Sequence, residues 1–385
     1  MQNNYPAPDV LQVLARLVEI NSVNPAYEGG RPECEIATWI ASFFAGYGIE
    51  TWQQQVFPGR PNLIARLPGR DPHRRLIFEA HTDTVNAGGM DIPPFDPVVS
   101  EGKLFGRGSC DTKAGLAAMM CALVSLKQEG TVPPCEIWVV AAADEEFSFR
   151  GVVKLCEELQ ANRLTAAGAV IAEPTSLRLA IASKGVLRWR ICCRGKSAHS
   201  SKPHLGVNAI ANMARLIVAL EADNQQLAAR PHPLLGSATC NIGLISGGRQ
   251  VNFVPDFCAI ELDRRLLPGE EIPDVLAHYQ AVLDRYPELD AYMEPPMLED
   301  YPLETAASDP FVACAGGILG GLGLAPEPLG VPYGSDASKL GRIGIPSVIF
   351  GPGSIDQAHA AVEWVECDQV RQACEFYRGL MLRFE

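Results

Sequence analysis

The chain has twelve cysteines and no Cys-x-x-Cys pair. They stand at 34, 110, 121, 135, 156, 192, 193, 240, 258, 314, 367 and 374, with no regular spacing and several inside apolar runs such as Ile191-Cys192-Cys193. That pattern argues against both a cysteine zinc site and a disulfide framework, and it leads us to expect buried free thiols in a reducing compartment. Long hydrophobic runs are also missing. None approaches the ~18 residues of a membrane-crossing helix, so no membrane partner is expected. The opening stretch MQNNYPAPDV has neither a basic n-region nor an apolar h-region, so no secretory leader is expected and the cytoplasm is the default location. Positive charge is scarce. Against 45 Asp and Glu there are 32 Lys and Arg, a net charge of −13, which argues against a nucleic-acid partner or an anionic membrane surface. We find neither an internal repeat nor a low-complexity tail.

What is present is an ordinary globular balance, 47% hydrophobic and 20% charged, over 385 residues. That length predicts two domains. From Glu50 to about Glu173, strand-like and helix-like runs alternate, which implies an α/β fold: a mostly parallel sheet with helices on both faces. The pattern changes after Leu177. Gly185 to Cys193 alternates apolar and polar residues, and the order strand-helix-strand-strand-helix-strand then runs to about Met293. That is the order of a ferredoxin-like α+β module, here inserted into the first domain. The expected division is 1–180, 181–294 and 295–385, the first and last segments forming one domain. Asp9 is expected to cap a first helix, and Ser200 or Ser201 the helix of the insertion.

Four apolar runs end in acids or histidine. Leu76-Ile77-Phe78 leads into Glu79, His81 and Asp83; Ile137 to Ala143 into Asp144, Glu145 and Glu146; Ala167 to Ala172 into Glu173; Ile345 to Phe350 into a Gly/Pro loop and His359. Asp111 stands in the glycine-rich turn GRGSCDTKAG. Ligands gather at the C-terminal ends of strands in such sheets. Two imidazoles with several carboxylates suit a borderline divalent cation, zinc first, with cobalt or manganese as alternatives. The acids are too many for one tetrahedral ion, and two cations sharing a carboxylate would absorb their charge.

Singly, each residue has a structural alternative. His81 and Asp83 fall two apart on one strand face and could be a plain hydrogen-bonded pair. Glu145 and Glu146 could be a solvated acidic helix start. Glu173 before Pro174 could open a helix, and His359 could be a loop histidine. Taken together, strand-end acids and histidines at long separations on one rim favour a metal centre. His199, Arg265 and Asn252 are more ordinary: a turn histidine, a surface charge and a turn residue.

The motifs HTDTV, GRGSCDTKAG, ADEEFSFRG, AEPTS, GKSAHSSKPHLGVNAI, NFVPD, DRRLLPG and GPGSIDQAH, in this order over nearly the whole chain, resemble those of the M20 metallopeptidases. The resemblance implies two metal ions bridged by Asp111, with His81 and Glu173 completing one site and Glu146 and His359 the other. It implies Glu145 as general base, Asp83 orienting His81, and a cis peptide from Asp111 to Thr112. The insertion would be the family's lid and dimerisation domain, so a homodimer is expected. His199 would stabilise the oxyanion, typically in the partner's site, and Asn252, Arg265 and Gly353 would meet substrate. Within the family the motifs are most similar to those of the acetylornithine deacetylases. The implied reaction is removal of an acyl group from a small N-acyl amino acid, N2-acetyl-ornithine first, as in arginine biosynthesis. Desuccinylation of succinyl-diaminopimelate, or another aminoacylase or dipeptidase activity, is the alternative. Asp336, in PYGSDASKL, departs from the deacetylase pattern and would hold a substrate ammonium.

Overall fold

The computed structural model describes residues 6–385, so the first half of MQNNYPAPDV, where no leader is expected, lies outside the described residues. In chain order the elements are α1 (Val10–Glu19), α2 (Cys34–Gly46), β1 (Glu50–Phe57), β2 (Arg60–Leu67), β3 (Asp71–His81), β4 (Val98–Ser100), β5 (Lys103–Phe105), α3 (Lys113–Glu129), β6 (Cys135–Ala142), α4 (Arg150–Ala161), β7 (Gly168–Ile171), β8 (Ala180–Ser183) and β9 (Gly185–Arg194). They continue with α5 (Ala209–Asn224), β10 (Thr239–Gly247), β11 (Phe257–Leu266), α6 (Ile272–Leu283), β12 (Ala291–Met293), β13 (Leu298–Asp300), β14 (Leu303–Glu304), α7 (Pro310–Gly321), β15 (Leu329–Val331), α8 (Ala337–Arg342), β16 (Ser347–Ile349), β17 (Trp364–Glu366) and α9 (Cys367–Arg383).

The chain divides into two compact units. The first takes the chain up to Ile181, then Thr305–Leu329 and Ser335–Glu385. Its sheet runs β1-β2-β6-β3-β7-β16. The four strands from β6 to β16 are parallel, and β1 and β2 join antiparallel at one edge. β6 is buried along its whole length, as expected of a strand covered on both faces. On one face Leu76, Phe78 and Ala80 of β3 meet a core built with α1, α2, α3, α7 and α9. The period-two alternation then turns Ile77, Glu79 and His81 the other way. α1 starts where expected: the Asp9 carboxylate accepts the Leu11 N–H at 2.8 Å. α3 is buried nearly all round. Its Gly115 is obligatory, because a Cβ there would stand 2.4 Å from the Ala172 Cβ, at the end of β7.

The second unit is Ala182–Glu304 with Gly330–Gly334. Its sheet, β10-β11-β9-β12 with β13 also on β9, is antiparallel throughout. α5 and α6 pack against Trp189, Ile191, Ile260 and Leu262. The order β9-α5-β10-β11-α6-β12 is the ferredoxin-like order expected. Two expectations need correction. The unit extends beyond residue 294, because β13 pairs with β9 and β14 pairs with β8, Leu303 beside Ser183. Asn208, rather than Ser200 or Ser201, caps α5: its carbonyl accepts the Ala211 N–H at 3.0 Å, and a short 3-10 turn, Pro203–Leu205, separates the serines from the helix.

Candidate metal centre

β3 delivers His81, which is buried. Its Nδ1 lies 2.9 Å from the main-chain oxygen of Asp83. A carbonyl only accepts, so in the neutral ring Nδ1 carries the proton and Nε2 is the ligand atom. That Nε2 lies 3.1 Å from Asp111 Oδ1. The other oxygen of the same carboxylate, Oδ2, lies 3.3 Å from His359 Nε2. His359 Nε2 is in turn 3.2 Å from Glu146. The peptide from Asp111 to Thr112 is cis.

Two groups of three result, His81-Asp111-Glu173 and Asp111-Glu146-His359, with donor atoms within 4.8 Å of one another in each. Asp111 belongs to both. All five residues expected as ligands come together here, with Glu145 beside Glu146 after β6.

Asp83 differs from expectation. Its main-chain oxygen, not its carboxylate, holds His81, since Oδ1 is 3.8 Å from Nδ1. The carboxylate instead accepts the Glu145 N–H at 3.0 Å and the Glu146 N–H at 3.1 Å, and so fixes the segment that carries both glutamates. Asn24 donates its amide to Asp83 at 2.7 Å and to Asp144 at 3.0 Å. Arg60 closes this network on Asp144 at 2.7 Å and on Glu33 at 2.6 Å. No periodic signal marks such long-range partners.

The electrostatics favour bound cations. Burial, reinforced by neighbouring acids, pushes the carboxyls of Glu145, Glu146 and Glu173 above their ordinary range. Burial works the same way on Asp111, but hydrogen bonds from His359 and His81 outweigh it and hold its carboxyl well down. Hydrogen bonds to Asp111 and then Glu146 raise His359 to about 10. His81 is also raised: burial opposes this, and the Asp111 hydrogen bond with the charge of Glu145 overcomes it. Protons on the two imidazoles thus do the neutralising that divalent cations would do. The donor set of imidazole nitrogens and carboxylate oxygens fits such ions.

Asp336 is buried at the N-terminus of α8, where its charge acts on Glu79, Glu145 and Glu173. Glu79, one of the strand-end acids and given no role by the resemblance, is fully buried on the same strand face as His81. Gly353 has φ of +84°, and a Cβ there would meet Cys110 Sγ at 2.5 Å, so only glycine fits. The remaining expected residues lie in the second unit. His199 is exposed, and its Nδ1 accepts the Ser201 N–H at 3.1 Å, which leaves the proton of the neutral ring on Nε2. Asn252 is exposed next to Phe253, the bridge partner of His199. Arg265, on β11, donates to Asp263 at 2.8 Å.

An α/β sheet that gathers, from its strand ends and the loops beside them, two histidine–carboxylate groups sharing one aspartate defines the class of dinuclear metal amidohydrolases. The chain belongs to peptidase family M20/M25/M40, whose profile matches residues 77–383. It is a metal-dependent hydrolase of the peptidase and desuccinylase type. A probable succinyl-diaminopimelate desuccinylase of Staphylococcus epidermidis is 27% identical, over 97% of this chain and 96% of its own length. Among solved structures, the aminopeptidase PepT of Bacillus cereus superposes with a TM-score of 0.80 at 24% identity, covering 97% of each chain. The YXEP protein of Bacillus subtilis, described as a dinuclear metal-binding M20 peptidase, has a TM-score of 0.73 at 17% identity, over 97% of this chain and 96% of its own. Among the described residues no helix is long and apolar enough to cross a membrane.

Proposed function

We propose that the chain hydrolyses the amide of a small N-acyl amino acid, with N2-acetyl-ornithine as substrate. The observation that carries the reading is Asp111, with one carboxylate oxygen facing each histidine. His81 and Glu173 hold one divalent cation with Asp111; Glu146 and His359 hold the other, zinc in the first instance, with cobalt or manganese as alternatives. Bound there, the cations supply Lewis acidity and make water acidic near neutral pH.

Glu145 takes the proton of the attacking water and returns it to the leaving nitrogen. An acid pushed up by burial is suited to both steps. Asp83 keeps this base aimed through the main chain of Glu145 and Glu146. His199, with Nε2–H free to donate, stabilises the oxyanion, and Asn252, Arg265 and Gly353 meet the substrate. Asp336, buried at the N-terminus of α8 with its charge acting on Glu145, holds the substrate ammonium.

The protein is read as a homodimer joined through the second unit. β10 is an edge strand exposing Leu244 and Ile245, and α5 exposes Val218. An apolar edge of this kind invites pairing with a second copy. The cysteines are all free, which supports a cytoplasmic location.

A second reading, desuccinylation of N-succinyl-diaminopimelate, is favoured by the staphylococcal relatives of that name. Amine release from acetyl-ornithine, succinyl-diaminopimelate, acetyl-methionine and a dipeptide, with a chelated control, separates the two. Preference for acetyl-ornithine supports the first reading and preference for the succinyl substrate the second; no chelator-sensitive hydrolysis of any of them rejects both. Glu145→Gln should keep its metal, measured by elemental analysis, and lose about 100-fold or more in kcat. Substantial kcat in that variant would remove Glu145 as the base.

A further inference from the structure

We propose that Glu363 is a positioning residue that sets the second cation site, Asp111-Glu146-His359, and that it does so by locking the loop of His359 to the loop of Asp111. The proposal rests on the two-ion reading above. Glu363 and Arg107 are both almost fully buried and form an ion pair, Arg107 Nη1 lying 2.6 Å from Glu363 Oε2. The second oxygen, Oε1, accepts two successive main-chain N–H groups, from Cys110 at 3.0 Å and from Asp111 at 3.1 Å. One carboxylate therefore grips the backbone that presents the shared ligand. It also belongs to the segment that presents His359, four residues earlier in the chain.

The rest of the contact is main-chain zipping of the same two loops. Gly106 N–H donates to the Glu363 oxygen at 3.1 Å, and β17 pairs with β5, Trp364 beside Phe105. The two sites depend unequally on this lock. His81 and Glu173 follow directly from the buried parallel strands β3 and β7, which keep their ends in place without it. His359 has no strand under it. It is half exposed, at φ of +60°, in a turn four residues before Glu363. Asp111 is tied to the first side independently, since the hydroxyl of the next residue, Thr112, donates to the Ala172 oxygen at the end of β7 at 2.8 Å, so weakening the lock should loosen His359 relative to Asp111 far more than it disturbs the His81-Glu173 side.

The test is Co2+ titration of chelator-stripped full-length protein, followed by calorimetry and by the visible spectrum of the bound ion, for wild type, Glu363→Gln and Glu363→Asp. Glutamine keeps the shape but loses the charge that faces Arg107. Aspartate keeps the charge but is one methylene too short to reach both Arg107 and the two amides. We expect the first ion to bind Glu363→Gln with near wild-type affinity and the second to weaken about 10–100-fold, the range typical of lost outer partners of metal ligands. Activity should return as Co2+ is raised, and Glu363→Asp should fall between the two. Should Glu363→Gln fail to fold, judged by its circular-dichroism melt, Glu363→Asp carries the same test. Unchanged binding of both ions, or equal weakening of both, overturns the proposal while the metal centre stands. A wild-type protein that takes up fewer than two ions overturns the two-ion reading, and this inference with it.

Discussion

Asp111 faces an imidazole with each of its oxygens, and in the absence of cations that arrangement stores protons. His359 moves from an ordinary 6.5 to about 10 on folding. A basic group raised in this way stabilises the fold fully below its unfolded value, and the contribution is lost as pH climbs through its folded value. Glu145, Glu146 and Glu173, raised mainly by burial, add a slope of the same sign. The chelated protein should therefore melt at progressively lower temperature between about pH 6.5 and 10. The metal-loaded protein should melt at a temperature far less dependent on pH, because cations replace those protons. Melting curves with and without chelator across that range check this, and parallel curves would contradict it. His359 is half exposed, so solvent screens part of the effect.

At the scale of elements, α3 shows how the centre is supported. It starts one residue after the cis peptide, packs against α1 and α9, and is buried from Lys113 through Val124. Leu123, fully buried at its middle, should cost about 2–5 kcal/mol when changed to alanine, read as a lower urea midpoint with the metal stoichiometry retained. A cost under 1 kcal/mol would mean that the core there collapses onto the gap.

Such elements were legible because their signals are local. Asp9 followed by helical spacing marked α1; the alternation Leu187, Trp189, Ile191 marked β9; apolar runs stopping at acids marked the strand ends and, with them, the ligands. What was not legible depends on partners far apart in the chain. Glu363 and Arg107, or Asn24, Asp144 and Arg60, have no mutual spacing that sequence could register. The late return of the chain, past residue 294, depended on two- and three-residue strands that pair with β8 and β9 and carry no period of their own. The Asp83 carboxylate was assigned to its sequence neighbour His81, whereas the fold turns it to Glu145 and Glu146.

The whole molecule is two units, with the second inserted into the first. If His199 serves a partner's site, a mixed dimer of Glu145→Gln and His199→Ala chains holds one intact site, formed by Glu145 from one subunit and His199 from the other. Neither variant alone has such a site. Co-refolded or co-expressed mixtures should recover activity that neither homodimer shows, measured as amine release. An inactive mixed dimer would place His199 in its own chain's site.

The packing of α9 on α3 also has a consequence for synthesis. α3 is complete at Glu129, yet the helix that covers it begins only at Cys367. At ~5–20 residues per second, the ribosome leaves that apolar surface without its cover for on the order of ten seconds or more. The inserted unit can fold within that interval. The unit that carries the proposed ligands cannot complete its core until α9 emerges, so its apolar α3 surface stays open to other contacts throughout that interval.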